Sequence, residues 1–138
     1  MNKRKILVVE DDRDQLMGLS AMLRMGGYDV IAATEGVAGI AKARSDRPDL
    51  VLLDLGLPAG NGFWFLETLR ASPEVGQTPV IVLTAMDSSR AKEKAFSAGA
   101  DGFGQKPIDA DDLLRSIEGL LKRVNGRAAA QEPAARRG

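Results

Sequence analysis

Three acidic residues stand in a row near the amino terminus, directly after a short apolar run. Glu10, Asp11 and Asp12 follow the apolar residues 6–9. Two like charges about 4 Å apart repel each other by roughly 4 kcal/mol at an effective dielectric constant near 20. A row of carboxylates at the end of a buried segment is therefore unfavourable by itself. Either the carboxylates extend into water, or a positively charged group binds between them.

Further residues that could take part in binding or catalysis stand at or just after the ends of the later apolar runs. They are Asp54, Thr84, Ala85, Lys106 and Pro107. Carboxylates can bind a divalent cation or act as covalent nucleophiles, and an ammonium group pairs with an anion. Each residue also has a simpler explanation when it is taken alone. Asp11 or Asp12 could cap a helix, Asp54 could belong to a turn, and Lys106 could be a solvated surface residue.

Apolar runs alternate with stretches of helical periodicity along the whole chain. The five predicted strands are residues 5–10, 29–34, 50–54, 79–84 and 102–106. The stretches predicted to be helical start near Leu16, with an end at the glycines 26–27, and continue with residues 35–46, 62–72, 88–100 and 109–125. The first, third and fourth strand runs are continuously apolar, which is typical of parallel strands that are covered on both faces.

This alternation predicts an α/β fold with a doubly wound, five-stranded parallel sheet and five helices on its two faces. The most apolar strands should be central, which favours the strand order 2-1-3-4-5 of a flavodoxin-like sheet. Ligands of such sheets bind beyond the carboxyl ends of the strands, so the polar residues above should meet in one crevice. We expect one domain over residues 1–124 and a disordered tail or linker stub over residues 125–138.

The composition limits the possible functions. A length of 138 residues indicates one domain, and 19 basic against 19 acidic residues argue against a dedicated nucleic-acid surface. The chain has no Cys and no His, which excludes thiolate metal sites, the usual zinc ligand and a Ser-His-Asp triad. The first apolar run is too short for a signal peptide or a membrane span. We therefore expect a cytoplasmic protein that contacts neither a membrane nor nucleic acid directly.

Four motifs follow one another along the chain: the pair Asp11-Asp12, the segment DLGLPAGNG with Asp54, Pro58 and Gly62, the segment LTA with Thr84, and the dipeptide Lys106-Pro107. In this order and at these intervals they resemble the motifs of response-regulator receiver domains, over residues 4 to about 124. An aromatic residue, Phe103, also stands three positions before Lys106, as it often does in this family. The resemblance implies a signalling switch in a two-component or phosphorelay pathway.

The resemblance also implies a chemical role for the acidic residues. Asp54 would be the phosphoacceptor for a phosphoryl group that is carried on a histidine of a sensor histidine kinase or a histidine phosphotransfer protein. Such a partner would supply the histidine that this chain lacks. Asp11, Asp12, Asp54 and the backbone carbonyl of Gly56 would bind Mg²⁺ or Mn²⁺. Glu10 is expected to be peripheral, because alternation along the strand points it differently from Asp11.

A second set of residues would bind or respond to the phosphoryl group in a protein of this family. These are Thr84, Ala85, Phe103 and Lys106, and the supporting residues are Pro58, Gly62 and Pro107. Gly56 and Met86 occupy the two positions that tune hydrolysis of the acyl phosphate in the family. Neither side chain can orient a water molecule by a strong hydrogen bond, so we expect a long-lived phosphorylated form. A downstream protein would bind the face formed by the fourth helix, the fifth strand and the fifth helix.

Several alternatives remain at this point. We expect no enzymatic activity beyond self-catalysed phosphotransfer and autodephosphorylation. Alternatively, the chain could be a receiver-like interaction module that is never phosphorylated. An aspartyl-phosphate phosphatase that uses Asp54 is disfavoured, because such enzymes typically need a second Asp where this chain has Gly56. A flavodoxin-type cofactor binder is disfavoured because the acidic residues after the first strand would repel a phosphate group. The chain could be a stand-alone receiver or a part of a longer protein.

Overall fold

The structure, a computed structural model, describes residues 3–57, 61–85 and 89–137. The strands are β1 (Lys5–Val9), β2 (Asp29–Ala33), β3 (Leu50–Asp54), β4 (Val80–Thr84) and β5 (Gly102–Gln105). They form one parallel sheet in the order β2-β1-β3-β4-β5. Both the predicted strands and their predicted order are therefore confirmed.

A helix follows each strand, as the alternation predicts. The helices are α1 (Arg13–Met25), α2 (Gly36–Asp46), α3 (Asn61–Ala71), α4 (Ser89–Ser97) and α5 (Ala110–Arg137). Each crossover between neighbouring strands of the chain carries a helix, which allows the strands to run parallel. Because they are parallel, their carboxyl ends and the polar loops that follow all lie at one edge of the sheet. In the described part of the chain, no helix combines the length and the apolar composition that crossing a bilayer requires.

The sheet separates two apolar cores, and this explains why its central strands carry apolar residues on both faces. Successive residues of a strand point to opposite faces. Leu7, Val51 and Val82 belong to the core that includes residues of α2, α3 and α4. Val8 and Leu52 belong to the other core, which includes residues of α1 and α5. Burial on both faces fixes the strands firmly, so the loops at their carboxyl ends start from a rigid base.

The carboxyl-terminal part of the chain differs from its prediction. The backbone of α5 continues through Arg137, whereas the sequence pattern predicts a disordered tail or linker stub over residues 125–138. Residues 127–137 include five Ala and three Arg, which favour helix, whereas Pro133 does not, and extension of an existing helix avoids the cost of nucleation. The boundary at residue 124 between a domain and a tail stays a prediction.

At the opposite edge of the sheet, where the amino ends of the strands lie, the Arg70 side chain of α3 holds the loops before β4 and β5 together. Its guanidinium group donates hydrogen bonds to the carbonyl oxygens of Gly99, at 2.9 and 2.7 Å, and of Thr78, at 2.6 Å. It also pairs with Asp101 at 2.8 Å, and the same Asp101 oxygen accepts the N–H of Val80 at 2.9 Å. Partial burial lowers the pKa of Arg70, and Asp101 opposes this effect. One side chain thus connects the loops that lead into β4 and β5.

We expect Arg70→Met to lower the free energy of unfolding by about 2–3 kcal/mol, because hydrogen bonds to a charged group are lost while carbonyl groups remain half-buried. Urea unfolding followed by circular dichroism measures the change. Arg90→Met is the matched control, since Arg90 is exposed on α4, and its effect should stay within about 0.5 kcal/mol. Equal effects of the two substitutions would show that the Arg70 contacts contribute nothing.

Candidate phosphoryl-transfer site

The strand register brings the polar residues of four loops to one edge of the sheet. Val9 is level with Leu53 in the β1–β3 pair, so the residues that follow them, Glu10 and Asp54, are adjacent. Asp54 is level with Leu83 of β4. The backbone N–H of Lys106 donates to the carbonyl oxygen of Thr84, at 2.7 Å. The predicted convergence of these loops is therefore observed.

Three carboxylates form a cluster at this edge: Glu10, Asp11 and Asp54, hereafter the carboxylate cluster. One oxygen of each lies within 4.8 Å of the others. Glu10 is only 1% exposed, so the expectation that it is peripheral is wrong. Strand alternation does turn Glu10 toward the face of α1 and α5, but the ammonium of Lys106 lies on that side. Glu10 is therefore a member of the site.

Asp12 lies outside the carboxylate cluster and caps α1. Its Oδ1 accepts the backbone N–H of Gln15 at 3.0 Å, and this hydrogen bond is the main cause of its lowered pKa. The helix-cap explanation, which the sequence left open, is thus the one that the geometry supports. A signal for it is present in the sequence, because an Asp followed three residues later by Gln resembles a capping box. The metal-ligand role of Asp12 stays a prediction.

Lys106 supplies the positive charge of the site. Its Nζ lies 2.6 Å from Oε1 of Glu10 and 3.5 Å from Oδ1 of Asp54. It also donates a hydrogen bond to the side-chain oxygen of Gln15. The Lys106 side chain is 17% exposed, so both ion pairs are partly shielded from water and are less screened by salt than pairs at an open surface. The Lys106–Pro107 peptide bond is cis.

The titration of Glu10 reflects above all its burial within the carboxylate cluster. Burial raises the pKa of Glu10 to about 7, a hydrogen bond to Asp54 adds to the effect, and the Lys106 ammonium group opposes it. A single ammonium group therefore does not offset the desolvation of Glu10 together with its repulsion from Asp54. The site as a whole favours the binding of further positive charge.

Asp54 ends β3, and its carboxylate is oriented by the next loop. The backbone N–H of Gly56 donates to Oδ1 of Asp54 at 2.9 Å. A Cβ atom at Gly56 would lie 3.3 Å from the same oxygen, so a larger residue at this position would start directly beside the carboxylate. The metal-binding role of the Gly56 carbonyl stays a prediction.

The remaining predicted residues that the structure describes differ in their burial. Thr84 is fully buried at the end of β4, whereas Ala85 is exposed and lines the same cavity as Lys106 and Pro107. Phe103 is half-buried against the core of α2, α3 and α4. Pro58 and Met86 lie outside the described residues.

Gly62 is where the first turn of α3 approaches the end of β3 most closely. A Cβ atom there would lie 3.0 Å from the backbone of Leu55 and 3.2 Å from the carbonyl oxygen of Asp54. These neighbours are backbone atoms at the end of a buried strand, so they cannot yield easily. The supporting role predicted for Gly62 thus has a steric basis, because any side chain would push against the backbone of Asp54.

We expect Gly62→Ala to lower the free energy of unfolding by about 1–3 kcal/mol through this overpacking. Gly119→Ala on α5 is the matched control. A Cβ there meets nothing within 4 Å, so the control should raise stability by about 0.5–1 kcal/mol. Urea unfolding of both variants measures the two effects, and a Gly62→Ala variant as stable as Gly119→Ala would contradict the close approach.

Comparison with known proteins agrees with this geometry. The sequence matches the family model of the response regulator receiver domain over residues 6–118. The chain is 37% identical over 121 residues to the DNA-binding dual master transcriptional regulator RpaA of Synechocystis sp., which covers 88% of this chain and 50% of that protein. It is 36% identical over 117 residues to protein PilH of Pseudomonas aeruginosa, and the match covers 85% of this chain and 97% of that protein. The chain thus spans about half the length of RpaA and nearly all of PilH.

A solved structure with the same fold is the receiver domain of sensor histidine kinase PA1611 from Pseudomonas aeruginosa PAO1, which contains a magnesium ion coordinated in the active site cleft. The two chains superpose with a TM-score of 0.81 at 29% identity, over 88% of this chain and 99% of the other. The family match, the strand order and the acidic edge of the sheet lead to one assignment. This chain belongs to the family of response regulator receiver domains.

Proposed function

We propose that this receiver domain is a Mg²⁺-dependent phosphoacceptor switch and that Asp54 is the phosphorylated residue. The observation that carries the proposal is the carboxylate cluster, whose oxygens lie within 4.8 Å of one another, with the Lys106 ammonium group 3.5 Å from Asp54. Phosphoryl transfer depends mainly on positioning and on neutralisation of charge. The site supplies a nucleophilic carboxylate and one fixed cation, and it has room for a second cation.

The residues of the carboxylate cluster fit a magnesium ion. All three donors are carboxylates, and Mg²⁺ prefers oxygen ligands and retains several water molecules. Asp11 is exposed, so bound water molecules would have access from its side. Asp11 and Asp54 would hold the ion, with Glu10 acting beside them. When it is bound, the ion neutralises negative charge on the transferred phosphoryl group. The magnesium ion in the PA1611 receiver domain supports this part of the proposal.

The reaction itself needs no acid or base from this chain. A carboxylate oxygen of Asp54 attacks the phosphorus atom of a phosphohistidine on a partner kinase or phosphotransfer protein. The new P–O bond forms as the P–N bond breaks, and the electron pair of that bond remains on the histidine nitrogen. Lys106 pairs with a phosphoryl oxygen, and the Gly56 N–H keeps the Asp54 carboxylate oriented. We classify the chain as a switch with self-catalysed transfer and autodephosphorylation, and not as an enzyme that acts on a separate substrate.

The phosphoryl group would be sensed through β4 and β5. Thr84 and Phe103 stand on these neighbouring strands, and the loop after β5 is tied to Thr84 by the hydrogen bond from Lys106. A shift of the Thr84 hydroxyl toward the phosphoryl group and a deeper packing of Phe103 would change the face of α4, β5 and α5. A downstream protein would read that face. The zero formal net charge of the chain favours a protein partner over nucleic acid for this domain.

The central experiment is incubation with Mg²⁺ and a small acyl phosphate, followed by intact mass spectrometry. We expect the wild type to gain one phosphoryl group and Asp54→Asn to gain none. Asp46→Asn is the control, because Asp46 is exposed at the end of α2 and should leave the mass gain unchanged. A wild type that never gains mass would favour the alternative of an interaction module that is not phosphorylated.

A second experiment concerns the lifetime of the phosphorylated form. We expect Gly56→Asn to lose the phosphoryl group several-fold faster than wild type, because its amide can hydrogen-bond a water molecule beside Asp54. Gly56→Ala is the matched control, since it adds the same Cβ without a polar group. Decay of the phosphorylated mass after removal of the donor gives both rates. Equal rates for the Asn and Ala variants would refute a role for water orientation at this position.

A further inference from the structure

Lys106 has a third partner that lies outside the carboxylate cluster. Oε1 of Gln15 on α1 accepts a hydrogen bond from the Lys106 ammonium group at 2.5 Å. Lysine has only donors to offer, so the amide oxygen of Gln15 is the group that faces it. The ammonium group is therefore shared among two carboxylates and one neutral amide.

The distances show how the ammonium group is divided among these partners. It lies at hydrogen-bond distance from Glu10, at 2.6 Å, and from Gln15, but at 3.5 Å from Asp54. The amide of Gln15 thus helps to hold the ammonium group toward α1 and away from the nucleophile. The position of Gln15 is itself fixed, because its backbone N–H donates to the Asp12 cap at 3.0 Å.

The two hydrogen-bonded partners, Glu10 and Gln15, differ in how easily the ammonium group can leave them. Separation from Glu10 would leave a buried carboxylate without its cation, which is costly. Separation from Gln15 breaks a hydrogen bond to a neutral amide, and Gln15 is exposed, so water can replace the lysine.

A cavity of about 440 Å³ lies beside Gln15 and Lys106. Its other lining residues among those that the structure describes carry apolar side chains, including Leu19, Leu83 and Ile108.

We propose that Gln15 is a positioning residue that holds Lys106 in the resting state and releases it when a phosphoryl group arrives on Asp54. This inference rests on the proposed function. The ammonium group moves from the amide to a phosphoryl oxygen while it keeps Glu10 as a partner. Gln15 therefore stabilises the unphosphorylated arrangement, and the strength of its hydrogen bond sets how readily the phosphorylated arrangement forms.

The test compares two substitutions that have opposite effects on this hydrogen bond. Gln15→Leu removes the acceptor without a change of charge, so the Mg²⁺ complex of beryllium trifluoride, a phosphoryl analogue, should bind about threefold or more tightly. Gln15→Glu replaces the amide by a carboxylate that retains the lysine, so the analogue should bind about threefold or more weakly. Isothermal titration calorimetry gives the dissociation constants. Gln77→Leu is the control, since Gln77 is exposed at the far edge of the sheet.

A second measurement tests the contact without any phosphoryl group. The nitrogen and proton NMR signals of the Lys106 ammonium group should change in Gln15→Leu and stay the same in Gln77→Leu. A shift of this signal together with opposite changes of analogue affinity supports the proposal. An unchanged signal, unchanged affinities or equal weakening by both Gln15 substitutions overturns it. If the wild type does not bind the analogue at all, both the proposed function and this inference are overturned. If the wild type binds the analogue, a negative result for the Gln15 variants overturns only the role of Gln15.

Discussion

The repulsion among clustered carboxylates is the constraint on which the site depends. Glu10, Asp11 and Asp54 hold their oxygens within 4.8 Å of one another, although Glu10 is almost completely buried. Like charges at such distances are unfavourable, and burial, with smaller contributions from Asp54, raises the pKa of Glu10. Lys106 compensates part of this charge through its ion pairs with Glu10 and Asp54. The remaining imbalance makes the site receptive to a divalent cation, and the proposed chemistry uses that property.

The rest of the fold allows this unfavourable arrangement to persist. The central strands are buried on both faces, so the backbone from which Glu10 and Asp54 project cannot relax without disturbing two cores. The close approach of Gly62 to the backbone of Asp54 and Leu55 restricts the same strand end further. Arg70 holds the loops at the opposite edge, so both edges of the sheet are fixed. Strain at a functional site is commonly maintained by such surrounding structure.

Much of this architecture could be predicted from the sequence because it depends on simple patterns. Continuously apolar runs indicate buried parallel strands, and parallel strands bring their carboxyl ends together, so the meeting of Asp54, Thr84 and Lys106 follows from chain order alone. The side-chain positions of Glu10 and Asp12 could not be predicted in this way, because side-chain directions just after a strand depend on which partners lie nearby. Glu10 turns toward Lys106, which is distant in sequence, and Asp12 turns toward the N–H of Gln15. The hydrogen bond from Lys106 to Gln15 has no sequence signal, since it joins residues 91 positions apart.

The dependence of stability on magnesium at constant ionic strength tests most directly whether the carboxylate cluster holds a cation. Urea unfolding of the wild type and of Asp11→Asn, each with and without Mg²⁺, separates repulsion from binding. Without Mg²⁺, Asp11→Asn should be more stable than wild type, because one of the clustered negative charges is removed. With Mg²⁺ at a hundredfold excess over its dissociation constant, the wild type should gain about 2.7 kcal/mol, and Asp11→Asn should gain little. A wild type that gains nothing, or a variant that gains as much, would contradict the claim that this cluster exists to hold a cation.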